Sequence, residues 1–395
     1  MRRFIKKLKG VRPSDLRHII LFIIALPISL IYRKRRKNMW LICEYENEAR
    51  DNGYWFFKYV RENKKEQDAV YAINRKAPDY EKVSSLGETV QYGSLRHWIY
   101  YLSASVNISS QKGGKPNAAV CYLLEVYGIL KNKRVFLQHG ITKDYTDIFI
   151  YPNTKMRLFI CGAKPEYDFV CSEFGYPEGY VAYTGFSRFD YLLEAYPQKR
   201  QLLIAPTWRS WLHSVSSDPY RSNSNKHITE SEYYKTWKKL ITSEKFKSLC
   251  RTYGMNAVFY PHRNVAHCFD GVESDFVTIA NWESYDLQLL MKESAVMLTD
   301  YTSAVMDFAY MKKPVLYYQF DFEKFRKEHF TEGYFNYERD GFGKVCYTED
   351  ELLVQIEALM KNTALEEKYS QRIDSFFPLR DKHNCERIYS EIAKI

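Results

Sequence analysis

Short apolar runs alternate with segments of helical spacing along most of the chain. Met39–Cys43, Ala69–Ile73, Val106–Ile108 and Val135–Leu137 read as strands, and Tyr54–Arg61 and Leu95–Leu102 between them carry helical periodicity. A second series begins near residue 200, with Leu202–Ala205, Ala257–Tyr260, Phe276–Ile279, Val296–Leu298 and Val315–Tyr318. Alternation of this kind predicts parallel α/β architecture, twice over. The expected fold is two Rossmann-like, doubly wound lobes facing a central cleft. Their expected extents are 38–195 and 196–395, with the last helix packing back on the first lobe, after a separate segment at 1–37. Leu212–Ser231, dense in Ser, Asn and His, interrupts the second series and reads as a mobile insertion of the kind that forms lids.

The first 37 residues change the reading of the charge. The chain carries +10, but residues 1–37 hold twelve Lys or Arg and one Asp, a net +11, so the rest is at −1. The basicity therefore belongs to one terminal segment, and no basic nucleic-acid face is expected on the body. Within the segment, the apolar run Ile19–Ile31 is interrupted by Pro27 and Ser29 and followed by Arg33–Lys37. A spanning helix wants roughly 20 apolar residues, so a peripheral or monotopic element on an anionic membrane surface is favoured over a span. A basic cluster directly after the apolar core argues against a cleaved signal peptide. Eight scattered cysteines with no CxxC pair point to neither a zinc site nor a disulfide framework, and to a reducing, cytoplasmic compartment.

Parallel sheets hold ligands beyond the carboxyl ends of their strands, and four polar motifs fall there. QHG at 138–140 follows Leu137, APTWR at 205–209 follows Ile204, and YPH at 260–262 follows Phe259. TDYTS at 299–303 follows Leu298 and opens a helical stretch, whose free first-turn N–H groups suit an anion. His139, before the small Gly140, is placed to accept a proton near neutral pH, with His262 sharing the work as charge stabiliser. The planar fork of Arg209 suits phosphate oxygens, with a salt bridge to a neighbouring acid as the alternative. Asp300 and Asp307 suit a ribose or polyol hydroxyl, or the start of the helix, and Thr302 or Ser303 its cap. Asp321 and Glu323 are two apart but isolated, so no metal site and no cofactor are expected. GxxxxGK[ST], GxSxG, HExxH and a strand-linked GxGxxG are all absent, and Gly113-Gly114 is only a loop pair.

The ordered set QHGIT at 138–142, APTWR at 205–209, PH at 261–262, LTDYTSAVMDFA at 298–309 and KPVLYYQFD at 313–321 resembles the CDP-glycerol glycerophosphotransferase family of teichoic acid synthesis. The resemblance runs from about residue 40 to 375 and includes GYPEGYVAYTGFSRFD at 175–190. It implies a GT-B fold, a CDP-alcohol donor on the C-terminal lobe, and transfer of a polyol phosphate to an acceptor hydroxyl with release of CMP. It implies CDP-glycerol or CDP-ribitol as donor and a lipid-linked glycan or polyol-phosphate acceptor at the cytoplasmic face of a bacterial membrane, in teichoic acid or capsule synthesis. Carried over residue by residue, His139 resembles the general base or its close partner, and His262 the second catalytic histidine. Arg209, Thr302 and Ser303, with Thr207 and Tyr301, resemble the donor phosphate contacts, and Asp300 and Asp307 their supports. The chain departs from the pattern at Glu332-Gly333-Tyr334, where the family often reads Arg-Gly before an aromatic residue. A single-transfer enzyme and a polymerase both fit. The rival readings are a GT-B glycosyltransferase using a nucleotide sugar and a non-catalytic membrane-bound scaffold.

Overall fold

The computed structural model describes residues 13–212, 228–329 and 331–395. They form two compact units. One holds residues up to Ile141 together with Asp147–Tyr191 and Asp381–Ile395; the other holds Thr142–Thr146 and Leu192–Arg380.

The first unit is built on a seven-stranded sheet in the order β3-β2-β1-β4-β5-β6-β7. Its strands are β1 (Trp40–Cys43), β2 (Ala69–Ile73), β3 (Thr89–Gln91), β4 (Val106–Ser109), β5 (Lys133–Phe136), β6 (Leu158–Cys161) and β7 (Val181–Tyr183). The second unit has six strands in the order β10-β9-β8-β11-β12-β13. These are β8 (Gln201–Ile204), β9 (Asn256–Phe259), β10 (Val277–Ile279), β11 (Val296–Thr299), β12 (Val315–Tyr318) and β13 (Gly343–Cys346). Every pairing is parallel. Both sheets run outward in two directions from a central pair, β1/β4 in one and β8/β11 in the other, which is the Rossmann order with its switch point between those strands.

The expected strands stand within a residue or two of their observed bounds, because central strands are buried on both faces and read as unbroken apolar runs. Four strands fall outside that expectation: β6, a fully buried LFIC run inside the sheet, and β3, β7 and β13, which are sheet edges. The edge sequences TVQ, VAY and GKVC are only partly buried, so no apolar run marks them.

Pro13–Arg35 is one helix of 23 residues, longer than its apolar run, and long and apolar enough to cross a membrane by length and composition. One face is bound to the first unit through the helix Leu95–Ser103. Trp98 Nε1 donates to His18 Nδ1 at 3.1 Å, Arg33 donates to the Leu102 carbonyl at 2.6 Å, and Ser103 Oγ donates to the Ser29 carbonyl at 3.2 Å. Phe22 meets the Trp98 ring edge-on at 5.6 Å. The opposite face exposes Leu16, Ile19, Ile20, Ile23, Ile24, Leu26, Leu30 and Ile31.

All eight cysteines are free thiols, and six are buried. Of the expected insertion at Leu212–Ser231, residues 213–227 lie outside the described residues.

Candidate active site

In the first unit, His139 follows β5 and is exposed, with its ring 6.4 Å from that of Phe149. The residue that turns it outward is Gln138, whose φ of 59° is left-handed although it is not glycine. Such a backbone costs on the order of 1–3 kcal/mol and persists only where its surroundings over-determine it. Here they do. Gln138 Nε2 donates to the Ile160 carbonyl at 2.6 Å and to Glu166 Oε1 at 3.0 Å, while Glu166 Oε2 accepts from Gly162 N at 2.7 Å. From the other side, Asn52 Nδ2 donates to the carbonyls of Leu137 at 3.2 Å and Gln138 at 2.7 Å. Asn52 opens the helix Asn52–Asn63, and its Oδ1 accepts from Arg188 N at 3.1 Å.

That helix is itself pinned beyond the β1/β4 switch point. The buried Glu44 carboxylate accepts from the backbone N–H groups of Arg50, Asp51 and Tyr54. Burial, then Asp51, pushes its carboxyl well up. Asp51 also takes Arg188 NH1 at 2.7 Å and Gln111 Nε2 at 3.3 Å. Gln138, Asn52, Glu44, Asp51 and Glu166 escape a motif reading. Their only sequence signal is proximity to strand ends, and no side-chain preference of glutamine announces a left-handed turn.

In the second unit, His262 is half-buried two residues past Tyr260. Its Nδ1 accepts from Asn264 N at 3.2 Å, so the neutral ring carries its proton on Nε2. The Trp208 ring lies 6.2 Å away, inclined at 34°. Trp208 in turn meets His329 edge-on at 5.0 Å. His329, to which the motifs gave no part, stacks on Phe325 at 4.6 Å and accepts from Ser210 N at 2.9 Å.

The TDYTS turn and APTWR meet at the β8/β11 switch point, but most of their polar groups face inward. Thr299 Oγ1 donates to the Ala205 carbonyl at 2.7 Å, and Asp300 Oδ1 accepts from Thr207 N at 2.8 Å. Arg209 is 0% exposed and makes ion pairs with Asp300 at 2.8 Å and Asp321 at 2.7 Å. Its NH2 adds a second bond to Asp321 at 3.1 Å, and its NH1 adds the Thr207 carbonyl at 3.1 Å. Burial alone would lower this guanidinium; Asp300 and Asp321 override that and hold it above its usual value. The fork expected on a phosphate is thus closed on two carboxylates, because Asp321, three residues past the end of β12, arrives from another part of the chain.

Tyr301 also turns inward. It stacks on Phe325 at 3.7 Å and donates to Asp321 Oδ1 at 3.1 Å. Asp300 stitches the two loops together, and Asp307 is buried in the helix Ala304–Tyr310. Thr207, Thr302 and Ser303 remain half-buried, and the Ser303 side chain makes no cap bond to that helix. Thr302 Oγ1 accepts from Ala304 N at 3.3 Å. So the residues expected together divide into an inner frame of Arg209, Asp300, Tyr301 and Asp307, and an outer rim of Thr207, His262, Thr302 and Ser303. Among the described residues, no group of three His, Cys, Asp or Glu is arranged for a metal ion.

Two parallel sheets of Rossmann order, each with polar loops beyond its strand ends, give the chain the GT-B fold. The wall teichoic acid polymerase TagF has this fold, with a TM-score of 0.64 at 16% identity over 99% of this chain and 98% of that one. The chain belongs to the CDP-glycerol:poly(glycerophosphate) glycerophosphotransferase family, whose profile it matches over residues 24–394. It is 32% identical, over 91% of its own length, to the minor teichoic acid biosynthesis protein GgaB of Bacillus subtilis, of which it spans 40%. It is 21% identical to the teichoic acid poly(glycerol phosphate) polymerase of Bacillus spizizenii, over 85% of this chain and 86% of that one.

Proposed function

We propose that the chain transfers a polyol phosphate from a CDP-alcohol, CDP-glycerol or CDP-ribitol, to a hydroxyl of a lipid-linked glycan or polyol-phosphate acceptor in teichoic acid or capsule synthesis. The observation that carries this reading is family membership over nearly the whole chain, joined to a strained, over-braced turn that presents His139. The acceptor oxygen attacks the polyol-linked phosphorus in line, a new O–P bond forms, the phosphoanhydride bond breaks, and CMP leaves. His139 takes the hydroxyl proton. His262, with its proton on Nε2, donates to a phosphate oxygen and stabilises the charge that develops there. Thr207, Thr302 and Ser303 supply further donors at the rim. Arg209, Asp300, Tyr301 and Asp307 position that rim from beneath.

The acceptor side is read as the first unit and the donor side as the second. The helix Pro13–Arg35 supports a seat at the cytoplasmic membrane face, lying on the surface. Its inner face is occupied by the first unit, its outer face is apolar, and its last turn carries Arg33, Lys34 and Arg35.

The test is CMP release from CDP-glycerol and CDP-ribitol with membrane lipid extract as acceptor. His139→Ala is expected to abolish release while donor binding persists, and near-normal turnover would refute the base. The two histidines are expected to differ in their response to glutamine, which can replace an Nε2 donor but not a base. His262→Gln should retain at least about tenfold more turnover than His139→Gln. Equal losses would remove the division of labour.

A further inference from the structure

One cluster of charged side chains in the second unit has no part in the reaction described so far. Thr142–Thr146 belongs to that unit, and within it Lys143 and Asp144 are buried at 5% and 8% side-chain exposure. The segment is firmly seated. Tyr145 and Thr331 form an antiparallel bridge, and Gly333 packs so closely that a Cβ there would lie 2.3 Å from the Lys143 carbonyl oxygen. Lys143 Nζ donates to Asp144 Oδ2, and Arg326 NH1 donates to Asp144 Oδ1 at 2.6 Å. One carboxylate therefore faces two cations.

The donors are far from satisfied. Lys143 has three ammonium N–H groups and Arg326 five guanidinium ones, yet among the described residues each hydrogen-bonds only to Asp144, and the buried Arg326 Nε has no partner there. The Tyr337 ring lies 5.3 Å from Lys143 Nζ and 5.8 Å from Arg326 Cζ. This ring offers a π-face but no lone pair of hydrogen-bonding strength. Other charges nearby do not close the account. Asp300, which pulls weakly on Lys143, is already bonded to Arg209, and Glu332, near Arg326, is exposed. Lys143 is buried and Arg326 half-buried with its Nε enclosed, and enclosed donors of this kind are costly unless an acceptor completes them. The cluster also touches the reaction's surroundings, because Tyr337 OH donates at 3.2 Å to the carbonyl of Tyr301, the residue before Thr302.

We infer that Lys143 and Arg326 form a phosphate-oxyanion site beside the TDYTS turn, with Asp144 holding the two cations apart and partly neutralised until an anion binds. A tetrahedral oxyanion offers several acceptors in the geometry that an ammonium and a planar fork can share. The phosphate is that of the donor diphosphate or that of a polyol-phosphate acceptor. Its identity rests on the proposed reaction; the site itself does not.

Calorimetry on the full chain with three probes, inorganic pyrophosphate, CDP and glycerol 3-phosphate, tests this. Lys143→Met and Arg326→Met are each expected to weaken at least one probe by about tenfold or more. Lys143→Arg and Arg326→Lys should recover most of that loss, and an unchanged melting profile shows that the variants fold. Asp144→Asn separates a binding site from a mere structural clasp. Removal of the competing carboxylate is expected to tighten pyrophosphate binding, whereas a clasp would bind more weakly without it. Loss confined to CDP assigns the donor, and loss confined to glycerol 3-phosphate assigns the acceptor. Wild-type binding of pyrophosphate through these residues, with no binding of CDP, would overturn the donor reading and leave the site standing. Wild-type affinity for all three probes in both methionine variants would overturn the site, as would equal weakening by Asp144→Asn.

Discussion

Arg209 and Lys143 are both cations taken almost wholly out of water within the second unit, at 0% and 5% side-chain exposure, and their charges are met in opposite ways. Arg209 lies between two carboxylates and bonds through Nε, NH1 and NH2. Lys143 shares one carboxylate with a second cation. A completed buried ion network is a frame, since nothing further can bind it without breaking it. An incomplete one retains directed donors and unbalanced charge, which the fold tolerates at a cost and a ligand can use. The difference locates ligand chemistry better than the residue types do, for a guanidinium after a strand and a lysine in a loop look equally available in a sequence.

The largest effect expected from this contrast is on stability. Arg209→Met leaves Asp300 and Asp321 buried without their cation, which should cost about 3–5 kcal/mol. Lys143→Met, in contrast, leaves Asp144 paired one-to-one with Arg326 and should stay within about 1 kcal/mol of wild type. Urea unfolding of both variants measures the gap. Similar losses in the two would mean that the triads are equivalent frames.

The motifs located the rim but left open which way its side chains turn. APTWR and TDYTS do stand at the β8/β11 switch point, because apolar runs betray buried strands and polar residues must follow them. Yet a sequence does not say whether a polar group beyond a strand faces solvent or its neighbour loop. Arg209 finds Asp321, 112 residues on, and that pairing is purely tertiary. Lys143 is missed for the converse reason. In ITKDYTD it reads as a solvated turn, and its burial depends on five residues joining the other unit. Gln138 shows a third limit, since its left-handed backbone is imposed by Asn52, Ile160 and Glu166 and not by its own preference.

Gly333→Ala sharpens the comparison with an intermediate effect on the Lys143 side alone. Its Cβ would sit 2.3 Å from the Lys143 carbonyl oxygen and 3.0 Å from Asp144 Cα, both backbone atoms that cannot swing aside. The segment must shift, at about 1–3 kcal/mol. Pyrophosphate affinity is expected to fall with it, while the Arg209 triad, which supplies none of the three atoms nearest that Cβ, keeps its contribution. A variant as stable as wild type would show that Thr142–Thr146 is loosely held and that the clustering of Lys143 with Arg326 is not enforced.

The smallest effect is the acid response of Asp144. Burial alone would raise its carboxyl, but Lys143 and Arg326 override burial and hold it below its usual value of 3.8. A carboxyl lowered by folding contributes stability above its unfolded value and loses it as pH falls through the folded one, so the window lies below about pH 4. Wild type should therefore lose stability through that window that Asp144→Asn keeps. Urea midpoints of the two proteins between about pH 5 and pH 3 give the difference directly. Bound pyrophosphate competes for the same two cations and should shrink that loss, because Asp144 then faces less unbalanced positive charge. An acid response unchanged by saturating pyrophosphate would place the anion elsewhere, and the Lys143 triad would join that of Arg209 as frame.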